Sequence, residues 1–315
     1  MSRPVLFASV KPLERAENIF ALYEAFDGNK DFVMVNGCRR HEAIRSGAYD
    51  LMVIDEFPAE TPGRCIMIWH AIQGGKKIGL EQPSPYYSVR QAPLMDFIVT
   101  SGTWAVPMFA GCSGLPEEKV LPLGMPRTDA YIGKKKGDGH TALAKKRSYL
   151  YVPTFRAPYE PKFPQIDWDW LDNELTDEEL LVVKCHMATD GIGIGNRKHI
   201  VEYSPYIASA PYLYDCDVVV TDYSSIIFDG YLLNKPTVLF EKDSGYTDVR
   251  GMYMKYPEEY CSRYCKDEKT LLRMLREADN LTDTEHNAVK KVADACDGHA
   301  IERICSLIHK MTDAN

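Results

Sequence analysis

Residues Thr221-Asp222-Tyr223-Ser224-Ser225 join an apolar run, Val218-Val219-Val220, to a second apolar stretch at 226–233. A buried strand that ends in a hydroxyl-rich turn and continues as a helix can hold phosphate. Thr221, Ser224 and Ser225 offer hydroxyl donors. The first helical turn adds unpaired backbone N–H groups at the positive end of the helix dipole. Ser and Thr at such a place are also ordinary helix N-caps, and the local pattern does not separate a phosphate cradle from a cap.

The elements that must position this turn are short apolar runs alternating with helical patterns. Strands are expected at 5–10, 32–35, 51–54, 65–69, 97–100 and 120–123, and again at 148–152, 180–185, 218–221 and 237–240. Between the first two, Ile19, Leu22, Tyr23 and Phe26 repeat at helical spacing within 13–26. This alternation predicts βα units around parallel sheets. The stretch 132–146 is rich in Lys and Gly and reads as a surface loop or interdomain linker. From Lys266 onward the pattern is helical, with one stripe at Leu271, Leu272 and Leu275 and another at Ile301, Ile304, Leu307 and Ile308, separated near Gly298. The expected domains are 1–140, 147–265 and a helical block at 266–315. Ligands of open parallel sheets bind beyond the carboxyl ends of strands, so the residues just after each strand matter most.

A chain of 315 residues suits two domains, and 45% hydrophobic content provides two cores. The net charge of -8 weighs against a duplex nucleic-acid binder. Nine cysteines, with no Cys-x-x-Cys pair, suggest neither a disulfide framework nor a zinc ribbon; free thiols in a reducing cytosol are expected. The N-terminal apolar run is broken by Lys11-Pro12 and reads as a strand rather than a signal peptide. No run of about 18 apolar residues exists, so no membrane-spanning helix is expected.

Beyond the turn, 221–251 carries Thr-Asp-Tyr-Ser-Ser-x-x-Phe-Asp, then Asn234-Lys235-Pro236, then Asp243, Tyr246 and Arg250-Gly251. Upstream, in order, stand Trp69-His70-Ala71 with Lys76-Lys77-Ile78-Gly79, Gly124-Met125-Pro126-Arg127-Thr128-Asp129, Pro153-Thr154-Phe155-Arg156 and Lys184-Cys185-His186. This set resembles the CDP-glycerol glycerophosphotransferase family, the TagB/TagF-like enzymes of teichoic acid and capsule synthesis, from about residue 13 to about 255. The resemblance implies a GT-B fold: two Rossmann-like α/β domains with parallel sheets facing across a cleft. It implies a CDP-linked polyol donor, glycerol phosphate foremost, bound by the C-terminal domain. It also implies a lipid-linked or glycan acceptor on the N-terminal domain, release of CMP, and no cofactor or metal. The alternatives are a GT-B glycosyltransferase using a nucleotide sugar and a non-catalytic nucleotide-binding subunit. The expected location is the cytoplasm, with peripheral contact at the inner face of the plasma membrane.

The resemblance makes His70 the expected base, since an imidazole near neutrality can take a proton from an attacking hydroxyl. It makes His186 a stabiliser of charge on the pyrophosphate. Expected donor-binding residues are Arg127, Thr154, Arg156, Thr221, Asp222, Ser224, Ser225, Asp229 and Arg250. Arg127 and Arg156 match phosphate with a guanidinium fork, or pair structurally with a carboxylate. Asp222 orients a histidine or meets a ribose or base edge, because a carboxylate repels phosphate. Three departures stand out: Ala71 and Met187 replace a usual Gly and Pro, and Gln73-Gly74-Gly75 replaces a Thr-Pro-Leu-like stretch. A positive φ at Ala71 would cost energy. The loop 190–195 is rich in glycine and can cradle phosphates, but lacks the dinucleotide fingerprint; a mobile loop is the simpler reading. Long polymerases of the family carry further N-terminal domains, so a primase-like or single-unit transferase, or a minimal polymer-forming enzyme, is expected, and the sequence does not choose among them.

Overall fold

The computed structural model describes residues 3–35, 41–81, 94–156, 163, 165–186, 189, 191–195, 197–243 and 245–313. Met187 and Cys38 lie outside the described residues. The chain forms two compact units. The first comprises Met1–Gln73, Lys77–Ile132 and Lys291–Asn315; the second comprises Gly74–Lys76 and Gly133–Lys290.

In the first unit, β1 (Val5–Ser9), β2 (Lys30–Met34), β3 (Leu51–Ile54), β4 (Arg64–Ile68), β5 (Phe97–Val99) and β6 (Val120–Leu121) alternate with α1 (Glu17–Ala25), α2 (Glu42–Arg45) and α3 (Val106–Ser113). The strands make one sheet in the order β2-β1-β3-β4-β5-β6, with every pairing parallel. Strands β1 and β3 are buried along their whole length, as a parallel sheet covered on both faces requires. Edge strand β2 is buried nowhere along its five residues. The helical pattern at 13–26 splits into a short 3-10 turn, Leu13–Arg15, and α1, which buries Asn18, Ile19 and Leu22.

The second unit contains β7 (Arg147–Tyr151), β8 (Glu179–Lys184), β9 (Ile200–Tyr203), β10 (Val218–Thr221), β11 (Thr237–Phe240) and β12 (Tyr264–Cys265). Its helices are α4 (Trp168–Glu174), α5 (Ala210–Asp215), α6 (Ile226–Leu232), α7 (Tyr246–Arg250), α8 (Glu268–Glu277) and α9 (Asp283–Val292). The sheet order is β12-β11-β10-β7-β8-β9, again all parallel. The order in which strands are added reverses between β7 and β10, the switch point at which open α/β sheets bind ligands. In the first sheet the corresponding place lies between β1 and β3.

The Lys- and Gly-rich segment after Ile132 packs onto the second unit. Asp215 accepts hydrogen bonds from the backbone of Gly137 (2.8 Å), Gly139 (3.0 Å) and Thr141 (2.7 Å) and from the Thr141 hydroxyl (2.8 Å). Burial pushes this carboxyl up, and the four donors outweigh it and hold it below the usual range. Gly74–Lys76 also joins the second unit: Lys76 bridges Met252, and the Tyr260 hydroxyl donates to Gly74 O at 2.7 Å.

The expected helical block at 266–315 does not hold together. Helix α8 buries Leu271, Leu272 and Leu275 in the second unit, whereas α10 (Ala300–Asp313) belongs to the first. The reason is local chemistry. Asp129 accepts from the first two N–H groups of α10, Ala300 at 3.1 Å and Ile301 at 2.8 Å, and Arg303 donates to Leu123 O at 2.9 Å. Gly124 permits the approach: its φ is +90°, and a Cβ there would fall 2.2 Å from Ala295 O.

Candidate active site

In the first unit the residues beyond β4 are held from several sides. Asn18 on α1 donates to Trp69 O at 3.0 Å and accepts from Arg127 N at 3.1 Å. Arg127, 8% exposed, donates to His70 O at 2.7 Å and lies 3.8 Å from Glu17. The backbone of Trp69-His70 is thus pinned by a helix and by the Gly-Met-Pro-Arg-Thr-Asp segment. The His70 ring lies against Trp69, with centroids 4.4 Å apart, and its Nδ1 is 3.0 Å from Glu56 Oε1. Next to Glu56, Asp55 is buried; its Oδ2 accepts from the Ser9 hydroxyl at 3.0 Å, whereas its Oδ1 is buried without a hydrogen bond. Burial pushes the Asp55 carboxyl up to about 6, with the Glu56 charge adding to the rise and His70, Lys11 and Ser9 opposing it. Ala71 does not adopt a positive φ, so its Cβ costs no backbone strain.

The second unit gathers a different cluster at its switch point. The Thr221 hydroxyl donates to Val152 O at 2.7 Å, tying the end of β10 to the segment after β7. Asp222 accepts from Thr154 N (2.8 Å), from Tyr223 N (2.7 Å) and from Arg156 Nη2 (2.8 Å). Arg156 also donates to Asp243 from Nε (3.2 Å) and Nη2 (2.9 Å), and to Thr154 O from Nη1 (2.8 Å). Its guanidinium lies over Tyr246 at 4.6 Å and Tyr223 at 5.3 Å, two rings stacked 4.2 Å apart. Burial disfavours the Arg156 charge, but Asp222 and Asp243 overcome it and hold the group above its usual range. The Tyr223 hydroxyl donates to Asp243 at 3.1 Å, and burial with the nearby carboxylates pushes it up.

Around this network, Ser224 and Ser225 are half-buried at the start of α6. Ser225 makes no side-chain capping bond, and Ile226 N reaches Ser224 Oγ only at 3.4 Å. The Thr154 hydroxyl is buried without a hydrogen bond. His186 is exposed beyond β8, its ring 5.6 Å from that of Phe155. Asp229 is buried within α6, and Arg250 ends α7 before Gly251 at φ +69°.

The structure therefore joins Thr154, Arg156, Thr221 and Asp222 directly, with His186 and the two serines flanking them. Arg127 is not among them. It lies in the first unit, where its guanidinium holds the His70 carbonyl. Asp222 orients an arginine and two backbone amides rather than a histidine. The glycine-rich loop after β8 already has an anion: Glu202 accepts from Ile192 N at 2.7 Å and Ile194 N at 3.1 Å. A Cβ on Gly191, at φ +96°, would come 2.8 Å from that carboxylate. Sequence reasoning missed Asn18, Asp55, Glu56 and Glu202. The acidic pair Asp55-Glu56 directly follows the apolar run of β3, and the strand-end rule applied to every strand would have found it. Among the described residues no group of three His, Cys, Asp or Glu side chains is placed to hold a metal ion.

The model of the family CDP-Glycerol:Poly(glycerophosphate) glycerophosphotransferase matches residues 7–310. The teichoic acid glycerol-phosphate primase of Bacillus subtilis (strain 168) is 27% identical over 271 residues, 79% of this chain and 68% of that protein. The teichoic acid poly(ribitol-phosphate) polymerase of Bacillus spizizenii (strain ATCC 23059 / NRRL B-14472 / W23) is 26% identical, over 98% of this chain. The chain spans 56% of that polymerase's length. Among solved structures, a variant of the wall teichoic acid polymerase TagF superposes with a TM-score of 0.79 at 18% identity, covering 99% of this chain and 89% of that one. The S. aureus MnaA-UDP co-structure follows at a TM-score of 0.62 and 14% identity, covering 99% of this chain and 97% of that one. At these identities the likeness concerns the fold, and the expected GT-B class holds: two Rossmann-like α/β units, each on a parallel sheet.

Proposed function

This chain belongs to the CDP-glycerol:poly(glycerophosphate) glycerophosphotransferase family, and from that premise we propose that it transfers a polyol phosphate, glycerol phosphate foremost, from a CDP-linked donor to an acceptor hydroxyl. The product side is a phosphodiester and CMP, as in the synthesis of a teichoic-acid-like or capsule polymer. His70 Nε2 takes the proton of the acceptor hydroxyl. The freed oxygen forms a bond to the donor phosphorus that bears the polyol, and the bond from that phosphorus to the bridging oxygen breaks, so CMP leaves with the electron pair. Ser224, Ser225, the first N–H groups of α6 and the Thr154 hydroxyl receive phosphate oxygens. Protonated His186 offsets the charge that builds on the leaving group. Arg156 acts within this site by bracing Asp222 and Asp243. Arg127 acts by fixing the backbone that carries His70.

The observation that carries this reading is the setting of His70. An imidazole at a strand end has its main chain pinned by Asn18 and Arg127 and a carboxylate 3.0 Å from Nδ1. That arrangement suits proton abstraction better than packing. The acceptor is proposed to be lipid-linked and the enzyme to act at the inner face of the plasma membrane. No described helix is long and apolar enough to cross a membrane.

A donor screen tests the whole reading. CDP-glycerol, CDP-ribitol and UDP-glucose are each supplied with a lipid-linked glycan acceptor in anionic vesicles, and the released nucleotide is identified. The expected result is CMP from CDP-glycerol, a kcat about 10³-fold lower in His70→Ala with CDP binding retained, and co-flotation of the protein with the vesicles. Release of UDP instead identifies a glycosyltransferase, and tight CDP binding without turnover identifies a binding subunit. Protein that stays at the bottom of the gradient refutes the membrane contact.

A further inference from the structure

We propose that Glu56 is the positioning residue of His70: its carboxylate holds the imidazole as the Nδ1–H tautomer, which leaves Nε2 as the proton acceptor. This inference rests on His70 being the base of the transfer reaction. Glu56 Oε1 and His70 Nδ1 are 3.0 Å apart but out of line for a hydrogen bond, and among the described residues the buried Nδ1 makes none. A neutral imidazole carries one proton, and the nitrogen that faces a carboxylate is the one that keeps it. Hydrogen bonds of this kind are often out of line before substrate binds and tighten in the complex. The other degrees of freedom of the ring are already restricted. Arg127 holds the His70 carbonyl, Asn18 holds the preceding one, and the Trp69 ring lies against the imidazole with an interplanar angle of 35°. Rotation about the side-chain bonds is what remains, and Glu56 fixes it.

The neighbouring carboxyl fits the same arrangement. Asp55 and Glu56 are adjacent in the chain, and two full negative charges side by side in a half-buried site repel each other. Asp55 is the buried member, at 2% exposure, and its carboxyl is raised to about 6, so near that pH it holds a proton much of the time. Glu56, partly open to solvent, is then the carboxylate that faces the histidine. The Ser9 hydroxyl, across from β3 on the adjacent strand β1, fixes Asp55 at 3.0 Å and so sets the direction of the following residue.

The test compares wild type with Glu56→Ala and Glu56→Gln by two readouts. The first is steady-state CMP release from CDP-glycerol. The second is the two-bond proton–nitrogen NMR correlation of the His70 ring in its neutral form, assigned by its loss in His70→Gln. Glu56→Ala is expected to lower kcat about 10²-fold while KM for CDP-glycerol changes less than about threefold. The His70 ring is expected to pass from Nδ1–H in wild type to predominantly Nε2–H in the variant. Glu56→Gln keeps an acceptor oxygen and the shape of the side chain, so it recovers part of the rate. A wild-type ring found as Nε2–H, a tautomer unmoved by Glu56→Ala, or an unchanged kcat each overturns the inference. If wild type releases no CMP from CDP-glycerol, the transfer reading fails by itself and the tautomer readout still decides the role of Glu56.

Discussion

The two sheets place acidic residues at equivalent switch points and treat them in opposite ways. Between β7 and β10, Asp222 is saturated: two backbone amides and a guanidinium meet it, and Asp243 shares the same arginine. Between β1 and β3, Asp55 has one hydroxyl partner, one buried oxygen without any, and a carboxyl raised to about 6 by burial. The balanced cluster is a platform of paired, buried charges. The unbalanced one lies beside the Glu56–His70 pair and titrates where proton transfer is useful. On the function proposed above, the second unit grips the donor and the first handles the proton.

Three substitutions can break or sharpen that contrast. The largest effect is expected from Arg156→Ala, which strands two buried carboxylates. Loss of one partner of a buried ion network costs about 3 kcal/mol or more, read as the urea midpoint of the transition that exposes β7 and β10 to hydrogen exchange. A loss under about 1 kcal/mol would mean that the platform is not a buried ion network. Asp55→Asn comes next, and its effect depends on pH. The folded carboxyl is raised from 3.8 to about 6, so the native state binds the proton more tightly than the unfolded chain. Wild-type stability therefore falls as pH climbs from about 4 to about 6.5 and is flat above that, a loss of about 2 kcal/mol. An amide does not titrate, so the substitution removes this slope and leaves the variant more stable than wild type at pH 8 and about equal at pH 4. Parallel melting profiles at the two pH values would refute the unbalanced reading of Asp55. The smallest effect is expected from Thr154→Val, which deletes a buried hydroxyl that has no hydrogen bond. Stability should rise by about 0.5–1 kcal/mol, while calorimetry should find CDP-glycerol bound several-fold more weakly. Unchanged affinity would remove Thr154 from the donor site.

Much of this organisation was legible before the structure. Ten of the twelve described strands follow from apolar runs, because strands of a covered parallel sheet are buried on both faces and read as continuous hydrophobic stretches. The two that escaped, β9 and β12, are the edges of the second sheet; β9 has one fully buried residue and β12 has only two residues. Neither presents a continuous apolar run, since β9 reads Ile-Val-Glu-Tyr and β12 only Tyr-Cys, whereas the edge strand β2 shows Phe32-Val33-Met34. His70, His186, Thr154 and Arg156, which the resemblance nominated, and the 221–225 turn each stand beyond an apolar run, as the strand-end rule asks.

The sequence by itself determined which residue types stand at strand ends and the order of the motifs, because both depend on patterns within a few residues of each other. The tertiary structure alone decided the partners. Arg127 meets a carbonyl 57 residues away, and Arg156 meets carboxylates 66 and 87 residues away. A guanidinium accepts any carboxylate, phosphate or carbonyl of suitable geometry. Strand order selects among them, and strand order comes from how the sheets pack rather than from any local run of residues.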